Sequence, residues 1–207
     1  MAGEEKSNRI YRPYINCSVP RTRCASFGGR FNVQLAYMAE KNNTIWTFGH
    51  STRSPEEFIA ALKSFEIEVL ADVRRYPGSR KYPHFNVAAM ETYLPEAGIH
   101  YMPELELGGR RKPKPDSANT VWRNEAFRGY ADYAETQEFE EGIARLTEVA
   151  GQKRVAYMCS EAVWWRCHRA IISDYLKERG WTVMHIMSEG VAKEHPFTAA
   201  YLEVHQG

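Results

Sequence analysis

The chain has 207 residues, of which 43% are hydrophobic and 26% charged, and its formal net charge is +1. This suits one globular domain with a sizeable core, and it removes any whole-molecule electrostatic argument for nucleic-acid or membrane binding, so anion recognition has to come from a local patch. No apolar run is long enough for a bilayer span and the polar start lacks a signal-peptide core, so a cytoplasmic address is expected, where the four cysteines read as free thiols, metal ligands or catalytic groups rather than disulfides.

Residues 1–43 differ from the rest. They are basic and Gly/Ser-rich in places, as in Pro20-Arg-Thr-Arg-Cys24-Ala-Ser-Phe-Gly-Gly-Arg30, with no sustained helical or strand period. A poorly ordered extension without catalytic groups is expected there. Met38-Ala-Glu-Lys-Asn-Asn precedes the first strand as a short native N-terminus would, which makes Met38 a candidate true start. Cys17 and Cys24 have no recognised zinc spacing with the later cysteines.

The α/β domain, residues 44–207, opens with an apolar strand ending in Gly49-His50. A helix follows: Ser54 is the N-cap, Pro55 sits at N1, Glu57 completes a capping box, and Phe58, Ala61, Leu62 and Phe65 form one buried face. Val69 to Arg74 is a second strand, apolar enough for a parallel strand covered on both sides. The charged loop 75–84 leads to a helix capped by Asn86, which Pro95 ends or kinks. A third strand spans 99–102, and a long loop from Pro103 to Asn124 carries Leu107-Gly108-Gly109-Arg110-Arg111-Lys112. Loops of that length are usually functional or disordered. Two helices then run near 125–134 and after Thr136, a strand at 154–158 delivers Cys159, and a helix is expected over 167–179 with Gly180 at C′. A last strand covers 181–186 and a short helix lies near 197–204. Strands alternating with helices predict a three-layer, Rossmann-like fold with a mostly parallel sheet flanked by helices.

In such sheets ligands bind beyond the carboxyl ends of the strands. The polar residues fall at those ends: His50 after the first strand, Asp72 and Arg74 on the second, Cys159 and Glu161 after the strand at 155, His185 on the last, and Cys167, His168 and Arg169 at a helix start. A thiol facing a helix N-terminus and arginines is shifted towards thiolate. A guanidinium in a helix's first turn opposes the dipole, so Arg169 calls for a partner: Glu161, Asp72 or a bound anion. Asp72 and Arg74 also read as a structural ion pair. Spacing excludes other readings. Cys159 and Cys167 are not C-x-x-C, and Cys159 to Arg166 is one residue too long for the C-x5-R phosphate loop. No G-x-G-x-x-G or Walker sequence is present, so the cofactor stays open.

Five separated motifs carry a family resemblance: Thr47-Phe-Gly49-His50-Ser51; Asp72-Val-Arg74-x-x-Pro77-x-Ser79-Arg80; Leu107-Gly108-Gly109; Tyr130-Ala-x-Tyr133; and Cys159-x-Glu161 with Cys167-His168-Arg169. Together they resemble the bacterial and archaeal family known as domain of unknown function 488, over roughly residues 44–190. The resemblance implies the fold and marks the site residues but supplies no reaction. Family members often have proline where this chain has Trp164, which implies a different path for the loop after Cys159.

Three functions compete. In an enzyme, Cys159 is the expected nucleophile and His50 or His168 the acid/base, with Glu161 in the catalytic set. Asp72, Arg74, Ser79, Arg80, Gly108, Gly109, Cys167 and Arg169 would then bind an anionic small molecule, nucleotide or nucleic-acid phosphate. A non-catalytic nucleic-acid or nucleotide module would use Arg74-Arg75, Arg80-Lys81 and Arg110-Arg111-Lys112 as a phosphate track, with Tyr76, Tyr82 and the tryptophans Trp164 and Trp165 stacking on bases. A zinc or iron site would draw on Cys159, Cys167, His168 and His50, although Cys167 and His168 are expected to point apart on a helix.

Overall fold

A computed structural model describes residues 43–205. The expected N-terminal extension, the start at Met38, Cys17 and Cys24 therefore lie outside the described residues. The chain runs β1 (Thr44–Gly49), α1 (Pro55–Lys63), β2 (Val69–Asp72), α2 (Val87–Glu96), β3 (His100–Pro103), α3 (Glu125–Tyr133), α4 (Gln137–Ala150), β4 (Val155–Cys159), α5 (Arg169–Glu178), β5 (Thr182–Ser188), β6 (Val191–Glu194) and α6 (Ala199–His205).

The strands form one six-stranded sheet in the order β3-β2-β4-β1-β5-β6. All neighbours are parallel except β5 and β6. Side-chain alternation sorts the core into two layers. Trp46, Phe48, Leu70 and Met158 face α1 and α2, packing on Phe58, Leu62, Met90 and Leu94. Ile45, Val69, Tyr157 and Val183 face the other way, onto Tyr130, Ile143, Leu146 and Ile172 of α3, α4 and α5. This is the three-layer α/β architecture expected from the alternating pattern. From β1 the chain passes to β2 and β3 on one side, and from β4 it crosses β1 to reach β5 on the other. The carboxyl ends of β2, β4 and β1 thus lie side by side where the winding reverses, the position at which such sheets form a crevice.

Local chemistry explains most boundaries. Ser54 and Glu57 make the full capping box of α1. The side chain of Thr136 accepts from the Phe139 N–H at the start of α4. Pro95 is accommodated in the last turn of α2, which stops one residue later. Two elements differ from the sequence reading. The strand at 191–194 is an antiparallel edge reached through Gly190, whose φ is 66°; its alternation was too short and too polar to register. Helix α5 begins at Arg169 rather than at Cys167: Cys167 is extended, at φ −130° and ψ 150°, and His168 is the N-cap.

The long loop before α3 is pinned rather than loose. Tyr130 donates its hydroxyl to the Leu107 carbonyl at 2.6 Å, and Tyr133 donates to the Glu106 carbonyl at 2.5 Å. The buried Asp132 carboxylate accepts from the Lys114 N–H, the Ser117 hydroxyl and the Asn119 amide. One turn of α3 therefore fixes where Gly108 and Gly109 lie.

Candidate active site

On the α1/α2 side of the carboxyl edge, Asp72 is fully buried and Arg74 nearly so. Arg74 donates through Nε to Oδ1 at 2.8 Å and through Nη2 to Oδ2 at 2.6 Å, and Tyr101 adds its hydroxyl to Oδ2 at 2.8 Å. Asp72 is thus saturated inside the protein, and it holds Arg74 with Nη1 turned to His50 Nε2 at 3.3 Å. His50 donates from Nδ1 to the Ser51 carbonyl at 3.0 Å and stacks on Phe85. Both ring nitrogens are therefore engaged. Burial first, and the Arg74 charge second, hold the imidazole neutral, with its pKa brought down to about 4.

On the opposite side lie the two thiols. Cys159 ends β4, opposite Gly49 of β1. Because Cys167 is extended and His168 starts the turn into α5, the two adjacent side chains converge instead of diverging as they would on a helix: Cys167 Sγ is 3.5 Å from His168 Nδ1. His168 Nε2 donates to the Val73 carbonyl at 3.0 Å. A carbonyl can only accept, so Nε2 carries a proton, and Nδ1 is the nitrogen left to exchange a proton with the Cys167 sulfur. Cys159 Sγ joins them, and the three donor atoms lie within 4.8 Å of one another.

The thiols are electrostatically unlike. For Cys167, burial opposes ionisation, but the neighbouring Cys159 thiol, the Arg169 charge and the Arg169 N–H groups outweigh that and bring its pKa down to about 6. For Cys159, the same shared hydrogen bond comes first and burial second, and its pKa is pushed up to about 12. The two buried sulfurs, within 4.8 Å of one another, titrate as a coupled pair in which Cys167 ionises before Cys159.

Arg169 is 1% exposed. Its partners are the Thr47 hydroxyl at 3.1 Å and the Glu161 carbonyl at 2.6 Å, so Glu161 serves it through the backbone and Asp72 not at all. Gly49 makes this possible, because a Cβ there would sit 1.9 Å from the Glu161 oxygen and 2.8 Å from Arg169 Nη2. Gly109 does the same for His168: an added Cβ would lie 2.7 Å from its Nδ1.

These groups meet at a cavity of about 560 Å³. Of the residues expected from the sequence, His50, Arg74, Ser79, Gly109, Cys159, Glu161, Cys167 and His168 line it. Asp72, Gly108 and Arg169 stand behind that lining, and Arg80 is exposed outside it. The Ser79 hydroxyl is occupied in its own loop, accepting from the Tyr82 N–H at 3.0 Å. The Glu161 residue is exposed. Arg166, one of the arginines expected to face a thiol, also lines it, as does Phe127, to which sequence reasoning gave no site role. That reasoning treated Arg75, Tyr76, Tyr82 and Arg110 as a surface phosphate track, and they too form the wall. Tyr76 is 61% exposed, with the Arg75 and Arg110 guanidiniums 5.6 and 5.8 Å from its ring centre. With Arg74 balanced by Asp72, the three guanidiniums of Arg75, Arg110 and Arg166 against one carboxylate, Glu161, make the lining cationic.

His185, expected at the same edge, is not in the lining. Its Nε2 pairs with His195 Nδ1 at 2.9 Å, and His195 Nε2 donates to Asp174 at 2.9 Å. Trp164 stacks on His185 with ring centres 4.4 Å apart. The residue that departs from the family pattern thus packs over this buried chain, and only Trp165 is exposed. Among the described residues, Cys159, Cys167 and His168 are the group whose donor types would suit a thiophilic metal.

A parallel α/β protein with a paired-thiol centre and a cationic pocket at its carboxyl edge is what fold and site define. The chain matches the family described as domain of unknown function DUF488 over residues 54–176, and it belongs to that family. The matched segment contains both thiols, His168, Asp72, Arg74 and the two loop glycines, while His50 precedes it. No curated protein and no solved structure matches the chain.

Proposed function

We propose that the protein is an enzyme that takes an anionic, nucleotide-like or nucleic-acid-like substrate into this cavity and attacks it with the Cys167 thiolate. The observation that carries the reading is the Cys167 sulfur facing His168 Nδ1 at 3.5 Å, on a wall that also holds Arg74, Arg75, Arg110 and Arg166. A thiolate is the reactive form of cysteine, and a neighbouring imidazole can accept or return its proton. The nucleophile's role, assigned to Cys159 from position alone, passes to Cys167. Cys159 becomes the donor that stabilises it, and His168 rather than His50 becomes the acid/base, because both His50 nitrogens are already bonded. Guanidiniums recognise phosphate and carboxylate, and Tyr76, Tyr82 and Phe127 offer aromatic faces beside them, the combination that suits a base attached to a phosphate.

Two alkylating reagents of equal reach and opposite charge preference test this. Anionic iodoacetate, relative to neutral iodoacetamide, should label Cys167 about tenfold better than it labels free cysteine at low ionic strength, because a cationic cleft concentrates anions by about 10-fold or more. The preference should fade with added salt and in Arg75→Ala and Arg110→Ala. A ratio equal to that of free cysteine, at every salt concentration, would remove the anion-binding half of the reading.

A further inference from the structure

Chain spacing argues against a redox couple, yet the fold places the two thiols together. Cys159 closes β4 and Cys167 precedes α5; both are buried, and their sulfurs lie within 4.8 Å of each other. The loop between them supplies Ser160, Glu161, Ala162 and Arg166 to the cavity wall. Both thiols open onto the cavity, and Cys167 is the one whose sulfur faces His168 Nδ1, at 3.5 Å. From this juxtaposition we infer that Cys159 is a resolving thiol: a hydroperoxide entering the cavity oxidises Cys167, and Cys159 captures the product as a reversible Cys159–Cys167 disulfide that switches the site off. The inference rests on the reading of Cys167 as the reactive thiolate.

The chemistry balances. The Cys167 thiolate attacks the terminal peroxide oxygen, the O–O bond breaks, and an alkoxide or hydroxide leaves and takes up a proton. Sulfur is oxidised by two electrons to the sulfenic acid and the peroxide is reduced to an alcohol or water. Cys159 then attacks the Cys167 sulfur and gives up its proton, the S–O bond breaks, and the hydroxyl leaves as water. His168, with Nδ1 3.5 Å from Cys167 Sγ, is placed to carry the proton in both steps. The net change is two thiols and one hydroperoxide to one disulfide, one alcohol and one water. Without Cys159 the sulfenic acid would persist and advance to the irreversible sulfinic acid. The disulfide instead returns to two thiols by exchange with an external dithiol.

The test uses the full chain, with Cys17→Ser and Cys24→Ser so that only two thiols remain. After dilute hydrogen peroxide, tryptic mapping should show residues 155–166 joined to residues 167–169, with a mass loss of about 2 Da that dithiothreitol reverses, as disulfide chemistry requires. In Cys159→Ala and Cys159→Ser the join should vanish and dimedone should trap Cys167; two variants guard against one failing to fold, which a thermal melt would reveal. Sulfinic acid at Cys167 in the two-thiol protein, without the join, would overturn the inference. So would stoichiometric zinc bound tightly enough to prevent oxidation. Iodoacetamide labelling of the reduced protein keeps the two proposals apart: rapid labelling of Cys167 without a disulfide sinks only the switch, whereas an inert Cys167 sinks the nucleophile itself.

Discussion

The split between the thiols can be read directly from the pH dependence of Cys167 alkylation. Cys167 is held at about 6 against an ordinary thiol value of 9.0. The sign is that of a lowered acid: thiolate is present above about pH 6, and labelling is lost as the pH falls through that value. At pH 7 such a group is about nine-tenths ionised and an ordinary thiol about 1%, a gain of about 90-fold in reactive form. Intrinsic nucleophilicity falls with basicity, at about 0.4–0.5 log units per pKa unit, which returns about 15- to 30-fold. The net advantage is only about three- to sixfold, and burial at 5% exposure reduces it further. The midpoint is therefore the diagnostic quantity, not the rate. Cys159→Ala removes the donor to the charged sulfur, and a hydrogen bond to a charged group is worth about 1.5–3 kcal/mol, so the midpoint should rise by about one to two pH units. Cys159→Ser keeps a donor and should keep most of the shift. Iodoacetamide labelling from pH 4 to 10, followed by peptide mass spectrometry, measures all three. A wild-type midpoint near the ordinary value, or a Cys159→Ala midpoint unchanged from wild type, would refute the proposed donation from Cys159 to Cys167.

Gly109→Ala should displace the His168 ring, since its Cβ falls 2.7 Å from Nδ1; Cys167 labelling should change while the thermal melt stays close to wild type, and an unchanged labelling profile would show the ring is not held there. Asp72→Asn leaves the buried Arg74 cation without its counter-charge, which typically costs about 3–5 kcal/mol, or about 6–20 °C in Tm for a chain of this size; a melt within 2 °C or so of wild type would contradict the saturated ion pair, by the same conversion. His50, neutral with a folded pKa of about 4 against 6.5, stabilises the fold fully above the higher value. That contribution is lost as the pH falls from 6.5 towards 4, up to about 3 kcal/mol. His50→Gln should flatten this acid slope in urea titrations, and identical slopes in both proteins would argue against it.

Much of the fold was legible because its signals are local. The Ser54–Glu57 box, the start of the apolar strand at Val69 and Gly180 after α5 act through nearest neighbours, and each marks a boundary where the structure has one, although the strand ends at Asp72 and not at Arg74. The carboxyl-edge rule then brought His50, Arg74, Cys159, Cys167 and His168 to one cavity without any contact being known. Roles were less legible. Which thiol ionises depends on who donates to whom, and that turns on the extended backbone at Cys167, a single residue outside helix α5. A periodicity argument cannot resolve one residue at a helix start. His50 looked like an acid or base because it follows a strand, but a strand end does not reveal that Ser51 and Arg74 occupy both nitrogens. Arg75 and Arg110 were legible as a phosphate track and Arg166 as a thiol's neighbour, but only tertiary contact assembles them into one wall.

Arg169 links the chemistry of the site to its stability. A guanidinium in the first turn of α5 opposes the helix dipole, and at 1% exposure it has little access to water. Its hydrogen bonds go to a hydroxyl and a carbonyl, both neutral, and among the described residues it forms no ion pair with a carboxylate. Asp72 is committed to Arg74. A buried cation without a nearby negative charge is strongly destabilising, and the Cys167 sulfur, which Arg169 favours as thiolate through charge, backbone and side chain, is placed to supply one. The dependence is mutual: Arg169 lowers the cost of ionising Cys167, and the thiolate lowers the cost of burying Arg169. On the proposed reading, a thiolate at Cys167 helps hold the carboxyl edge of the sheet together, and a change that neutralises the sulfur weakens the support of the loop that Arg169 anchors through the Glu161 carbonyl.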